Sequence, residues 1–177
     1  NWNKIILILN FSIYELTYYY ICNFNIIHIY IMGKIIIEPK MVYTTRLVKG
    51  EDLNHHGTLF AGRTAEWFVE SGFIAAASII NPSRVVCLKI HGMYFSKPAR
   101  PGQILKFTSK IVYAGKSSLV SYIQVIKEVT EEPFVSGFIT FICVDEETHP
   151  TPHNIEIKPV SDVDIALYEK AKGLKNK

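Results

Sequence analysis

Residues 51–73 read EDLNHHGTLFAGRTAEWFVESGF, in which a polar segment precedes a largely apolar one. An Asn, two His and a Gly-Thr pair precede a run from about Leu59 to Ile80, whose apolar residues cover most of a helical circumference. That distribution predicts one long helix enclosed by protein, and the pair Asn81-Pro82 predicts its end. We therefore expect a buried helix with polar groups gathered at its N-terminus.

Strand-like segments lie on both sides of this helix. One precedes it at residues 41–48, and four follow it at residues 84–99, 103–114, 118–129 and 133–145. They are rich in β-branched and aromatic residues, and Gly92 predicts a bulge or bend in the first of the four. The short turns between these four segments are typical of an antiparallel meander. A final helix is expected over residues 162–172, followed by a frayed lysine-rich tail.

The order of strand, long helix and four strands predicts an α+β fold, with an antiparallel sheet wrapped around one long central helix. The chain has 177 residues, of which 49% are apolar, so it can bury one sizeable core. We expect a single domain over residues 32–160, with a C-terminal helix and tail over residues 161–177.

Charge and cysteine content narrow the class of protein. The formal charge is only +3, and the sequence offers no cluster of basic residues of the kind that binds nucleic acid. Cys22, Cys87 and Cys143 are scattered and form no CxxC pair, which favours a reducing compartment and predicts a cytoplasmic protein. Cys87 and Cys143 lie in apolar runs, where a free cysteine usually behaves as a small buried hydrophobe.

Residues 1–31 consist mainly of Asn, Ile, Tyr, Phe and Leu. Polar residues interrupt them too often for a membrane span, which needs about 20 predominantly apolar residues. The apolar run is also too short for a signal peptide, and no small-residue cleavage site follows it. We favour a translation start at Met32 or Met41, which would make residues 1–31 non-native or unstructured. A peripheral or membrane-anchoring segment and a folded extension are the alternatives.

Two motifs, LNHHGTLFAG at residues 53–62 and KIHGMYFSKPARPGQIL at residues 89–105, together resemble those of the hotdog-fold acyl-CoA thioesterases. LNHHGTLFAG, residues 53–62, is similar to the Asn-x-x-Gly-Thr-Leu-Phe-Gly-Gly segment at the start of that family's helix. KIHGMYFSKPARPGQIL, residues 89–105, is similar to its strand and turn of the form Gly-x-x-Phe-x-[Arg/Lys]-Pro-x-x-x-Gly-[Asp/Gln]. The resemblance extends over about residues 40–145. It implies the hotdog fold and hydrolysis of acyl-CoA to free CoA and a carboxylic acid.

The resemblance also implies a homodimer as the minimal unit, and dimers of dimers and trimers of dimers are common in the family. Each site takes the loop and helix start from one chain and a carboxylate from the other. No metal or redox cofactor is implied, because coenzyme A is part of the substrate. Neither a nucleic acid nor a membrane is an expected partner, unless residues 1–31 are a real anchor.

One position departs from the family pattern. In many relatives a catalytic Asp lies seven residues after the second glycine of the helix start, where this chain has Val69 followed by Glu70. Glu66 precedes Val69 by three residues and therefore faces roughly as that Asp would. The resemblance makes Glu70 the first choice as base or water-orienting group and Glu66 the second. The alternative is that both glutamates reach solvent or pair with a cation.

Thioester hydrolysis requires donors for the oxyanion, a positioned water and a group that orients or deprotonates this water. The amides at a helix N-terminus lack partners, and here they belong to Phe60, Ala61 and Gly62. Gly62 has no Cβ, so the thioester can approach the backbone closely. The resemblance implies that one of these N–H groups polarises the thioester carbonyl. Asn54 matches the family's Asn, and its amide can contact a carbonyl or a water, or it can simply cap a turn.

His55 and His56 can titrate near neutral pH, so one of them can contact the water or the substrate. We expect His56 in the catalytic role and His55 in substrate binding, with the neighbouring Gly57 and Thr58. The alternative is a pair of loop histidines bonded to the backbone. Adjacent histidines do not easily chelate one ion and no Cys/His cluster accompanies them, so no metal site is expected.

The phosphates of coenzyme A need cationic contacts. Lys116 and Ser117 lie in the turn AGKSS, and Arg100 lies in PARPG, and we expect all three to bind the substrate. The alternative is ordinary turn chemistry, because Gly, Lys and Ser are common in turns. AGKSS lacks the glycine spacing of a P-loop.

Two other functions compete with hydrolysis. A hotdog dehydratase would carry a Gly-His-Phe-Pro-like segment before the helix, and this sequence has none. A non-catalytic acyl-CoA sensor would tolerate the loss of the Asp at position 69. Turnover of a thioester distinguishes a sensor from a hydrolase.

Overall fold

The computed structural model describes residues 6–8, 19–23, 26–31 and 33–174. Its helices are α1 (Ala61–Ala77) and α2 (Asp162–Gly173), with 3-10 turns at Gly50–Asp52 and Pro82–Arg84. Its strands are β1 (Ile6–Ile8), β2 (Tyr19–Asn23), β3 (Ile26–Ile31), β4 (Lys34–Ile37), β5 (Val42–Leu47), β6 (Val85–Ile90), β7 (Tyr94–Phe95), β8 (Ile104–Ala114), β9 (Ser118–Lys127), β10 (Pro133–Cys143) and β11 (Ile155–Ile157).

An antiparallel sheet with the strand order β5-β8-β9-β10-β6 forms the body of the domain. Helix α1 crosses it and contacts all five strands. The side chains of Phe68 and Ala76 are completely buried, and a Cβ added at Gly72 would lie 3.1 Å from the side chain of Ile123 on β9. The absence of a side chain at Gly72 therefore brings the helix close to the sheet. The predicted α+β fold, with a sheet around one long helix, is confirmed.

The helix is shorter than the sequence predicts. Leu59 pairs with Leu53 in an isolated antiparallel bridge, which holds it outside the helix, and Phe60 is the N-cap in an extended conformation. At the other end, the amides of Ile79 and Ile80 both donate to the carbonyl of Ala76, so the chain turns before the expected Asn-Pro stop. Apolar periodicity continues through both ends, and only the hydrogen bonding reveals the boundaries.

The predicted meander holds for three of its four strands. Strands β8, β9 and β10 pair consecutively, but β6 pairs with β10 and not with β8. The reason is that β5 occupies the other edge of β8. The strand predicted over residues 84–99 is also divided into β6 and β7 by a segment that contains Gly92. The φ of this residue is +91°, a conformation that favours glycine.

A second sheet has the order β1-β2-β3-β4-β11. Strand β11 pairs with β4 in parallel, and Ile37, Ile155 and Ile157 join the core. The sequence does not predict this pairing, because a three-residue strand carries little periodicity. The origin of residues 1–31 stays a prediction, and the tail at residues 175–177 lies outside the described residues.

Helix α2 packs on the first sheet through Leu167 and Ala171 and through a buried ion pair. The ammonium of Lys110 on β8 lies 2.5 Å from the carboxylate of Asp164, and both side chains are only 8% exposed. Burial raises the pKa of Asp164, but hydrogen bonds from Lys110 and Ser161 outweigh it and hold that pKa below its usual range. The ion pair therefore fixes where α2 docks.

The outer edge of β6 is apolar and exposed. Val86, Leu88 and Ile90 are 41%, 66% and 41% exposed, and no strand of the described residues pairs with this edge. Cys143 is buried as expected, whereas Cys87 is exposed because it lies on this edge strand. An unpaired apolar edge strand is a template for pairing with another chain.

The connection between β6 and β7 passes directly over β10. A Cβ added at Gly137 of β10 would lie 2.3 Å from the carbonyl oxygen of Gly92, a contact that only a backbone shift can relieve. We expect Gly137→Ala to lower the free energy of unfolding by about 2 kcal/mol, measured by urea denaturation. Gly50→Ala is the control, because nothing lies within 4 Å of its added Cβ. Equal unfolding midpoints for the two variants would contradict this close approach.

Candidate active site

Asn54 holds together the loop that leads into α1. Its backbone amide donates to the carbonyl of Thr58 at 2.7 Å. Its side-chain Oδ1 accepts from the amides of His56 at 2.9 Å and Thr58 at 3.3 Å, and its Nδ2 lies 3.1 Å from Oγ1 of Thr58. Asn54 therefore does cap a turn, and one hydrogen of its amide group has no partner among the described residues.

Three residues of this loop are distinguished by their backbone geometry or their exposure. Gly57 has a φ of +72°, a conformation that most other residues adopt only with strain. His55 and His56 are exposed, and their ring centroids lie 3.9 Å apart. The structure therefore places both rings in solvent beside Asn54, where either can reach a bound molecule.

The first turn of α1 offers free hydrogen-bond donors. The amide of Phe60 is not one of them, because it donates to the carbonyl of Asp52 at 2.8 Å. The first helical hydrogen bond comes from the amide of Thr64 to the carbonyl of Phe60 at 3.0 Å. In the described part of the chain, the amides of Ala61, Gly62 and Arg63 therefore have no acceptor, as the first turn of a helix requires.

Access to these amides depends on Phe60. Its ring is exposed and lies over Gly62, so that a Cβ added at Gly62 would be 2.4 Å from the ring. Beside it lies a cavity of about 260 Å³, which Ala61, Phe95 and Phe134 help to line. The start of α1 thus combines free amides with an apolar hollow.

The expected glutamates both lie at the helix surface, each beside an arginine. The carboxylate of Glu66 lies 2.7 Å from Arg63, whose Nε is 3.2 Å from the buried carboxylate of Asp52. Glu70 pairs with Arg46 of β5. In a single protomer, Glu66 and Glu70 are therefore each paired with a cation, as the alternative interpretation of the sequence expects. No sequence motif points to Arg46, Asp52 or Arg63, although the three-residue spacing of Arg63 and Glu66 is a recognisable helical pair.

The two sides of α1 face opposite edges of the sheet. Trp67 packs edge-on against Phe107 of β8, with ring centroids 6.4 Å apart, on the side where Glu70 reaches Arg46. This side therefore faces β5, the edge remote from β6.

The other side carries Val69. Phe73 packs against Phe141 of β10 at 6.2 Å, and Val69 shares its side because residues four apart are neighbours on a helix. With about 100° between successive residues, Glu66 points about 60° from Val69 and Glu70 about 100° from it, toward β5. Glu66 is therefore the glutamate that points nearer to the Val69 direction.

The two expected phosphate-binding segments lie in different places. The turn with Arg100 lies beside the start of α1, because the amide of Leu59 donates to the carbonyl of Ala99 at 2.9 Å. Lys116 and Ser117 lie at the turn between β8 and β9 and line a separate cavity with residues of β6 and α2. In one protomer, no cavity found among the described residues joins the two places.

Within the described residues, no group of three or more His, Cys, Asp or Glu side chains is placed to hold a metal ion. No helix in this part of the chain is long and apolar enough to cross a membrane.

Residues 56–134 match the model of the thioesterase superfamily. The uncharacterized acyl-CoA thioester hydrolase YkhA of Bacillus subtilis is 28% identical over 138 residues, which cover 76% of this chain and 78% of that protein. The acyl-CoA hydrolase of Staphylococcus aureus in complex with butyryl coenzyme A, coenzyme A and coenzyme A disulfide is 28% identical, with a TM-score of 0.67. The similarity covers 75% of this chain and 80% of that one.

An apo-hexameric acyl-CoA thioesterase is 29% identical with a TM-score of 0.70, over 77% of this chain and 88% of that one. The Staphylococcus aureus enzyme has also been crystallised with an asparagine, and with an aspartate fifteen residues later, each replaced by alanine. Fifteen residues after Asn54 this chain has Val69. By its fold, its motifs and these relatives, the chain is similar to the thioesterase superfamily and to acyl-CoA thioester hydrolases with the hotdog fold.

Proposed function

We propose that the protein hydrolyses acyl-CoA thioesters at a site shared by two protomers. One protomer contributes the Asn54 loop and the N-terminus of α1, and its partner contributes a glutamate of α1. The observation that carries the proposal is that the amides of Ala61, Gly62 and Arg63 have no acceptor among the described residues, next to the loop that Asn54 holds in place. Such amides stabilise an oxyanion without reorganising during the reaction.

The reaction consists of water addition and thiolate loss. The thioester oxygen accepts a hydrogen bond from the amide of Ala61 or Gly62, which makes the carbonyl carbon more electrophilic. A water adds to this carbon while a carboxylate takes its proton. The C–S bond then breaks, the proton passes to the departing coenzyme A thiolate, and the carboxylic acid and free coenzyme A leave.

Asn54 contributes a single donor in this scheme. Its Oδ1 is used by two loop amides and its Nδ2 is near Thr58, so the remaining N–H is the group that can bind the carbonyl or the water. His55 and His56 lie beside it in solvent and are proposed to contact the water or the substrate. Arg100 is proposed as a substrate contact at the same end of the helix.

The carboxylate is proposed to come from Glu66 or Glu70. The sequence pattern favours Glu70, because it follows the position where an Asp is usual. The direction of the side chains favours Glu66, because Arg46 draws Glu70 toward β5, away from Val69 and β6. We therefore assign the role to Glu66 and keep Glu70 as the alternative.

The proposed dimer forms through β6. This edge strand exposes three apolar side chains, and its free edge can pair with the same strand of a second copy in an isologous contact. The side of α1 that carries Val69 faces this edge, so a partner there lies next to the proposed site. Hexamers, as in the related thioesterase, would be trimers of this dimer.

A second candidate function is non-catalytic binding of acyl-CoA. Val69 favours it, because the acyl-CoA hydrolase of Staphylococcus aureus has an aspartate fifteen residues after an asparagine, where this chain has Val69. Binding of an acyl-CoA without release of free thiol would establish this alternative.

Asn54→Asp tests the proposed donor. An aspartate keeps the oxygen that the amides of His56 and Thr58 need, but it has no N–H for the substrate. We expect kcat for acyl-CoA hydrolysis to fall by about a hundredfold, the effect of removing one oxyanion donor, with little change in the melting temperature. The measurement is release of free thiol from a panel of short to long acyl-CoAs.

Thr58→Val is the matched control, since it removes the hydroxyl near Nδ2 and leaves the Asn54 amide in place. It is expected to retain most of the turnover. Unchanged turnover in Asn54→Asp would assign Asn54 to the loop alone.

A further inference from the structure

Phe60 occupies a position that neither helix capping nor core packing explains. It is the N-cap residue of α1, where Ser, Thr, Asp or Asn usually accepts a hydrogen bond, yet its side chain makes no cap. Its ring is 54% exposed, and among the described residues it pairs with no other aromatic ring. A large apolar side chain therefore stands beside the free amides and can contact a bound molecule.

The ring lies where a thioester has to approach. A Cβ added at Gly62 would lie 2.9 Å from Cζ of Phe60. The Cα–Cβ bonds of a helix tilt toward its N-terminus, which is also the direction in which the free amides of the first turn point. The ring therefore takes up the room that the missing side chain leaves beside the Gly62 amide. A thioester carbonyl and the ring cannot both occupy this room.

The ring can leave Gly62 without disturbing the fold. Phe60 belongs to neither hydrophobic cluster of the described residues, and exposed side chains change rotamer within picoseconds to nanoseconds. Its two neighbours in the chain, Leu59 and Ala61, both line the cavity of about 260 Å³. A ring that moves off Gly62 therefore stays at the edge of this cavity.

The walls of the cavity are mainly apolar. The rings of Phe95 and Phe134 pack edge-on with their centroids 6.0 Å apart, and Leu59, Ala99 and Phe134 are buried. None of the residues that line it belongs to β6, so the proposed dimer contact does not use them. The cavity is therefore an apolar surface that starts directly at the free amides.

The polar side chains of the cavity are already engaged. Among the described residues that line it, only Ser96 and Lys97 have a polar side chain. Oγ of Ser96 donates to the carbonyl of Phe134 at 3.1 Å, and the ammonium of Lys97 lies 2.9 Å from the carboxylate of Glu132. Neither group is left over for a polar or charged ligand. The part of an acyl-CoA ester that suits this cavity is therefore its apolar acyl chain.

We infer that Phe60 determines the acyl specificity of the protein and that its substrates are esters of short acyl chains. The ring lies on Gly62 in the free protein, moves off when the thioester reaches the amides, and packs against the acyl chain in the cavity. The inference rests on the proposed function, which supplies the ester. A short chain follows from the volume, which is below the range of about 300–1,000 Å³ that is typical of small-molecule sites.

The ratio of kcat/KM for butyryl-CoA to that for acetyl-CoA tests the role of Phe60. Burial of each methylene is worth about fourfold, so we expect a ratio of about sixteen in the wild type. In Phe60→Ala it is expected to fall to about four or less, because the chain loses the wall that the ring provides. Phe60→Leu keeps an apolar side chain and is expected to keep most of the ratio. A loss of folded enzyme lowers both rates alike and cancels in the ratio.

Tyr43→Ala is the matched control. Tyr43 on β5 is an aromatic residue of similar exposure, 59%, and does not line the cavity. This variant is expected to keep the wild-type ratio. An unchanged ratio in Phe60→Ala, or an equal fall in Tyr43→Ala, would overturn the inference.

Failure of the proposed hydrolysis is separately visible. If the wild type releases no thiol, calorimetric titration with butyryl-CoA and acetyl-CoA gives the ratio of their dissociation constants, which is expected to respond to Phe60→Ala in the same way. A wild type that does not distinguish the two esters, in turnover or in binding, would overturn the inference whether or not it hydrolyses them.

Discussion

Glu66→Gln is expected to lower kcat for acyl-CoA hydrolysis by a factor of about a hundred or more, the usual contribution of a general base. The amide keeps the size of the side chain but cannot accept a proton from water. KM is expected to change little, because the carboxylate does not contact the coenzyme A moiety in the proposed arrangement. The measurement is the rate of thiol release under saturating substrate.

Glu70→Gln is the matched control. It lies one turn further along the same helix and is also exposed, and an exposed ion pair such as that with Arg46 contributes only about 0–1 kcal/mol. We expect it to fold normally and to retain kcat within about threefold, like other surface substitutions. The reverse pattern, with a large loss in Glu70→Gln and none in Glu66→Gln, would move the base to Glu70.

Ile90→Glu is expected to convert the dimer into a monomer and to reduce turnover at least about a hundredfold. Ile90 lies on the exposed edge of β6, where two copies would place their glutamates close together, and juxtaposed like charges cost several kcal/mol at an interface. Because the proposed site takes groups from both protomers, the monomer has no complete site. Sedimentation velocity and thiol release are measured on the same samples.

Val129→Glu controls for the added charge. Val129 is the most exposed large apolar residue in the part of the chain whose exposure is described, at 86%, and it lies between β9 and β10, away from β6. This variant is expected to remain dimeric and active. An Ile90→Glu variant that is monomeric and retains full turnover would contradict the shared site. An Ile90→Glu variant that remains dimeric would show that the interface does not lie at β6.

The sequence predicts the long helix and the central strands, but it does not predict which strands lie at the edges of the sheet. The apolar residues that surround α1 predict an enclosed helix, and the strands β8, β9 and β10 follow from residue type and turn spacing. The position of β6 does not follow, because it depends on β5 having taken the other edge of β8. For the same reason Cys87 is exposed, although its neighbours in sequence are apolar.

The candidate site is likewise only partly predictable from the sequence. The motif around Asn54 predicts the loop and the free amides, because both depend on local backbone geometry. The choice between Glu66 and Glu70 does not follow from their distance from Val69 along the chain. Glu70 is adjacent to Val69 in sequence, but adjacent residues point about 100° apart on a helix. Arg46 biases that choice, and it comes from a strand 24 residues away in sequence.

Subunit complementation tests the shared site most directly. Asn54→Asp and Glu66→Gln chains, each inactive alone, are co-expressed, and thiol release from acyl-CoA is measured. With random pairing, about half of the dimers are mixed, and in each mixed dimer one of the two sites combines an intact loop with an intact glutamate. We therefore predict recovery to about a quarter of wild-type turnover. No recovery in mixed dimers, from a wild type that does hydrolyse acyl-CoA, would contradict a site built from two protomers.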